Sequence, residues 1–199
     1  MNSDLRIRLA RMVDADRIER LQQRSLLRLG SPYYGRAAVE SFLRLVGTLD
    51  SDLIRDRTYY VAEFSGRLVG CGGWSFRAAA MPPSDGTPAP RLDPARDAAF
   101  VRAIYVAPES ARCGIGSALM RQAEAAIAAA GFARAQLVAT LSGEPLYRKL
   151  GYREIGRLQL DLPDGSLLQG IRMEKHVGEV ARLSASISTD GLGNLSEVA

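Results

Sequence analysis

The 199-residue sequence predicts an α/β (α+β) fold, a twisted mixed sheet of about seven strands flanked by helices on both faces. Three observations carry this. Apolar periods of two and of 3.6 succeed one another as strand, two helices, three strands, helix, strand, helix, two strands. Residues 100–120, FVRAIYVAPESARCGIGSALM, run from a β-branched stretch through Pro108, Gly114 and Gly116 into an alanine-rich helical pattern. The length fits one domain with a real core, here residues 1–176, followed by a tail over 177–199 that is flexible or docked.

The alternation LRIRLA at 5–10 predicts a strand with one buried face. Asp14 is placed to cap a helix over 15–28, with Ile18 and Leu21 on its buried face and Gly30-Ser31-Pro32 as its end. Tyr33 and Tyr34 then fall in a loop, and a second helix is predicted over 36–49. Residues 58–64 and 67–74 form a hairpin about Ser65-Gly66. Gly70, Gly72 and Gly73 are costly inside a strand and predict a bulge or a close backbone approach. Residues 78–97, rich in Pro, Ala and Asp, read as a surface loop. After the strand at 101–106, a helix over 117–130 buries Leu119, Ala123, Ala126 and Ile127, and Gly131 ends it. A strand at 135–141, a short helix opened by Pro145 and ended at Gly151, and a hairpin of 153–162 with 167–174 complete the domain.

The loop before the alanine-rich helix delivers backbone N–H groups to a helix start, which suits phosphate. Leu119 stands where a dinucleotide fingerprint needs its third glycine, and no lysine is present for a P-loop. A plain tight turn remains the other reading of the two glycines. Downstream, residues 145–152 read PLYRKLGY.

Together, VAPESARCGIGSAL at 106–119 and LYRKLGY at 146–152 resemble the two signature segments of the GNAT superfamily of acyl-CoA-dependent N-acyltransferases, in the same order and separation. The resemblance covers roughly residues 5–175. One position departs: Ala111 stands where the family carries Gln or Arg, which removes a side-chain contact and leaves the main-chain N–H groups. The resemblance implies a splay between the fourth and fifth strands that admits the pantetheine arm. Backbone groups of Ile104 and Val106 would bond its amides, and Arg112, Cys113, Gly114, Ile115, Gly116 and Ser117 would hold the pyrophosphate. Tyr147 takes the place of the general acid beside the thiol; as a plain reading it is an aromatic anchor. No carboxylate stands on the organising strand where some members carry a glutamate, so Glu63 or water is left as base, and Glu63 also reads as a solvated charge near a hairpin. Tyr33 and Tyr34 border the implied acceptor site or simply pack.

The implied activity is acetyl transfer from acetyl-CoA to a primary amine by direct attack in a ternary complex. A non-catalytic acyl-CoA-binding regulator of the same fold is the alternative. Cys71 and Cys113 form no disulfide framework or metal motif, and His176 is the single histidine, which disfavours a Ser-His-Asp triad. The net charge of +4 comes from arginine, with Lys149 and Lys175 the only lysines, and shows no sequence-level nucleic-acid signature. No run approaches a membrane span. The expectation is a cytoplasmic protein without metal, nucleic-acid or membrane partners, taking a small-molecule or peptide amine, with a homodimer plausible for the family.

Overall fold

The structure, a computed structural model, describes residues 5–78 and 89–178. Its sheet has the spatial order β1-β2-β3-β4-β5-β7-β6. The strands are β1 (Leu5–Leu9), β2 (Tyr59–Phe64), β3 (Arg67–Ser75), β4 (Ala99–Val106), β5 (Arg134–Thr140), β6 (Arg153–Asp161) and β7 (Leu167–His176). The helices are α1 (Ala15–Ser25), α2 (Ser31–Tyr34), α3 (Arg36–Leu45), α4 (Ser51–Arg55), α5 (Ile115–Ala129) and α6 (Glu144–Lys149), with short 3₁₀ and π turns between some of them. Every neighbouring pair is antiparallel except β4 and β5, because the chain crosses between those two through α5.

Alternation along the strands sorts the core into two layers. From β2, Tyr59 and Val61 pack with Ile18 and Leu21 of α1 and Leu53 of α4, while Tyr60 and Ala62 pack with Leu119, Met120 and Ile127 of α5. Leu119, Met120 and Ile127 are wholly inaccessible, and each contributes about 1.5–3 kcal/mol by leaving water. The predicted helices on both faces and seven strands are thus present.

Several boundaries differ from expectation. Gly30-Ser31-Pro32 does not end the first helix: a π turn, Leu26–Gly30, leads straight into α2, and Pro32 sits at that helix's start, where a missing N–H is harmless. Tyr33 and Tyr34 are therefore helical, and Gly35, at φ 78°, makes the break instead. The helix expected to reach residue 49 stops at Leu45, with Val46 and Gly47 amides both donating to the Phe42 carbonyl. Asp50 then caps α4, which was not predicted, by accepting from the Asp52 amide at 3.2 Å. Helix α5 begins two residues early, at Ile115. The centre of the expected surface loop, residues 79–88, and the tail from 179 lie outside the described residues.

Candidate active site

Strands β4 and β5 pair only at Ala99↔Ala135 and Phe100↔Gln136, and beyond Phe100 they run apart. A bulge in β4 accompanies the separation. Cys71 faces Tyr105 and Gly73 faces Arg102, so Gly72 alone lies opposite Ala103 and Ile104. Ala103 takes φ 54°, uncommon for a residue with a side chain. A β-carbon on Gly72 would stand 2.2 Å from Ile104 Cδ1, and one on Gly73 would stand 2.3 Å from the Thr58 carbonyl oxygen. The strand glycines are thus required by close approach, as the sequence predicts. The bulge is held from below: Tyr59 Oη donates to the Ala103 carbonyl at 3.0 Å and accepts from Gln22 Nε2 at 2.8 Å. Ile104 and Val106 lie past the last β4–β5 pair, so the edge of β4 that carries them has no β5 partner.

At the mouth of the splay the chain makes a 3₁₀ turn, Pro108–Ser110, then passes through Arg112 at φ 66° and Gly114 at φ 83° into α5. The first amide bonded back to this loop is that of Ala118, to the Gly114 carbonyl at 3.0 Å. The amides of Ile115, Gly116 and Ser117 therefore meet no intrahelical acceptor and carry the positive end of a 15-residue helix. The two glycines serve different needs. Gly114 supplies the left-handed conformation, and its absent side chain would point into open space. Gly116 supplies contact: a β-carbon there would be 3.0 Å from Leu146 Cδ2, so it lets α6 and the end of β4 close on the helix start. Cys113 is exposed beside them.

Tyr147 on α6 is buried, its ring edge-on to Tyr152 at 6.1 Å and against Gly143. Burial alone pushes its phenol up, so it stays protonated at neutral pH, with no hydrogen bond to a described residue. Tyr105 of β4, packed toward the α1 layer, is also pushed up, by burial first and then by the Cys71, Tyr147 and Tyr34 groups. Tyr34 is committed: its hydroxyl donates to the Gln169 carbonyl at 2.8 Å and accepts from the Leu141 amide at 2.7 Å, tying α2 to the ends of β5 and β7. Tyr33 is exposed. Tyr105 was not singled out from sequence, although its place next to Ile104 and Val106 on the organising strand was a signal.

Two carboxylates bear on the choice of base, and both are engaged. Glu63 is clasped by Arg8, with Nη2 at 2.7 Å and Nε at 3.2 Å, and Arg8 also grips Asp14. The Arg8 hydrogen bonds hold both acids below their ordinary range. Asp50 meets Arg102 of β4 at 2.6 Å, both side chains being at most one-tenth exposed. Burial outweighs attraction in this pair, raising the Asp50 carboxyl and lowering the Arg102 guanidinium. A clasped, depressed Glu63, on β2 opposite Leu68 and separated from the splay by β3, is a poor base. Glu63→Gln is accordingly expected to leave turnover within about twofold. It should also lower the melting temperature at neutral pH. That deficit should shrink as the pH falls through the carboxylate range, because the ionised, Arg8-bound form exists only above it. Tenfold lower turnover in a folded Glu63→Gln protein would restore it as the base.

The description "Acetyltransferase (GNAT) domain" belongs to the family model that matches residues 55–154, half of the chain, including β4, the glycine loop and α6. No curated protein matches the sequence. Among solved structures, a GCN5-related N-acetyltransferase from Rhodopseudomonas palustris is similar with TM-score 0.64 and 17% identity, over 88% of this chain and 98% of that one. The PaiA N-acetyltransferase of Thermoplasma acidophilum, in complex with coenzyme A, gives TM-score 0.59 and 16% identity over 86% and 98%. YncA of Salmonella typhimurium, with its cofactor acetyl-CoA, gives 0.60 and 17% over 88% and 95%. At these identities the likeness is one of fold. Among the described residues no helix is long and apolar enough to cross a membrane, and no three metal-ligating side chains gather.

Proposed function

Since the chain belongs to the GNAT acetyltransferase family, we propose that it moves an acetyl group from acetyl-CoA to a primary amine by direct attack in a ternary complex. The observation that carries this reading is the splay, a β4 edge without a strand partner that leads to a loop of left-handed residues and free helix-start amides. These features fit the cofactor: Ile104 and Val106 would bond an amide-bearing arm as a strand does. Residues 112–117, from Arg112 to Ser117, would hold the pyrophosphate through main-chain N–H groups. When bound, acetyl-CoA supplies an activated thioester.

The chain's own residues then have two tasks. The bulge at Ala103, braced by Tyr59 and Gln22, fixes the direction of the Ile104 amide, which would polarise the carbonyl as an oxyanion contact. The protonated phenol of Tyr147 would give its proton to the leaving thiolate. The amine's proton passes to water, since Glu63 and Asp50 are held by Arg8 and Arg102.

Titration calorimetry with coenzyme A and acetyl-CoA tests the cofactor, with micromolar binding expected; no heat at about 1 mM ligand would sink the reading. Thiol release across an amine panel separates a transferase from a non-catalytic binder. The buried, protonated phenol of Tyr147 on α6 favours the transferase.

A further inference from the structure

Helix α1 and the π turn after it carry Arg17, Arg20, Arg24 and Arg28, all exposed, at spacings of three, four and four residues. That spacing puts them on one face. They do not point into empty solvent. Arg24 and Arg28, with Leu27, Pro32, Pro108 and Glu109, line a groove of about 940 Å³. Arg17, Arg20 and Arg24 line a second of about 630 Å³, bordered by Phe64 and Arg67 of the β2–β3 hairpin. The two share Arg24 and Glu109, so they adjoin as one shallow trough whose exposed lining is mainly apolar and carries five arginines.

The charge in this trough is not balanced from within. Among the described residues, Arg20, Arg28 and Arg67 meet no carboxylate at ion-pair distance. Arg24 meets Glu109 at 3.3 Å, and Arg17 stands 4.0 Å from a Glu63 that Arg8 already holds. One end of the trough adjoins the splay. Pro108 lies two residues past the end of β4, and Pro32 belongs to α2, whose Tyr34 bonds the Leu141 amide at the end of β5. From Arg28 to Arg17 the helix rises about 16 Å, the length of roughly five residues of extended chain.

We infer that this trough binds an acidic segment of a polypeptide acceptor, running along α1 and leading an amine into the splay. The inference rests on the acetyltransferase reading and names the class of acceptor. Aspartate or glutamate side chains near the reacting amine meet the arginine stripe, and intervening apolar side chains meet Leu27, Phe64 and Leu68.

The test uses a fluorescent peptide bearing a free amine followed by five alternating acidic and leucine residues, and its counterpart with Asn and Gln in place of the acids. Anisotropy is read with the full chain, with and without coenzyme A, in low salt and at about 0.3 M salt. The acidic peptide is expected to bind at least about 10-fold more tightly than the neutral one and to weaken with salt. Arg20→Glu combined with Arg28→Glu should remove that preference, Arg20→Gln with Arg28→Gln should halve it on a logarithmic scale, and coenzyme A affinity by calorimetry should not change. Circular dichroism confirms that each variant is folded. Equal binding of the two peptides, or an unchanged preference in the double Glu variant, overturns the inference. So does a variant that loses coenzyme A affinity instead, which would assign the trough to the cofactor's phosphates. Failure of coenzyme A to bind the parent protein overturns the transferase reading, and the peptide arm then reads the trough on its own.

Discussion

Tyr147→Phe is expected to lower turnover about 10²-fold while coenzyme A affinity and melting temperature remain near those of the parent. The ring is what packs: it lies edge-on to Tyr152 and against Gly143, and phenylalanine keeps that contact. The hydroxyl has no hydrogen bond to a described residue, so removing it leaves no described donor or acceptor unpaired. What is lost is a proton donor whose burial keeps it protonated well into the alkaline range. A thiolate leaves tolerably without help, so the loss is partial, and the alkaline limb of the rate profile should change with it. Single-turnover rates of acetyl transfer are the measurement, since product release would mask a chemical defect. An unaltered single-turnover rate would return Tyr147 to the role of anchor for α6.

Gly116→Val should bring coenzyme A binding below detection by calorimetry. The new side chain's β-carbon stands 3.0 Å from Leu146 Cδ2 and in ordinary contact with Val106 Cγ2 at 3.7 Å, and its added methyl groups crowd the Leu146 side chain between α5 and α6. Overpacking of this kind costs about 1–3 kcal/mol, a fall of several degrees in melting temperature for a chain of this size. The amides at the start of α5 shift with it, and those are the proposed pyrophosphate donors. Gly114→Ala separates the two causes. Its β-carbon meets nothing, but φ 83° strains any L-residue by about 1–2 kcal/mol. It should weaken binding about 10-fold by tilting the loop and leave α6 in place. A folded Gly116→Val protein that binds coenzyme A like the parent would remove the loop from the cofactor site.

Much of this organisation could be read along the chain. The Ser65-Gly66 hairpin, the strand-to-helix passage through Gly114 and the short helix carrying Tyr147 are written in residues that are neighbours in sequence. Their conformations follow from local sterics, which need no distant partner. The strand glycines announced a crowded approach because glycine is costly inside a strand unless room is needed, but their partners, Ile104 and Thr58, are distant in sequence. Even the missed helix α4 had its signals, Gly47 to end one helix and Asp50 to start the next.

What no stretch of sequence could announce is which groups meet across the sheet. Tyr34 finds the Leu141 amide 107 residues away and the Gln169 carbonyl 135 away. Gln22, Tyr59 and Ala103 become a brace for the bulge only when α1, β2 and β4 stack. Arg102 stands beside Asp50 because the α3–α4 turn folds over β4, and Arg67 joins the α1 arginines because the hairpin borders the trough. Composition and periodicity fix each segment's own shape and its apolar face. The directional bonds and charge pairings between segments depend on how those faces pack, and packing free energy is a property of all the layers at once.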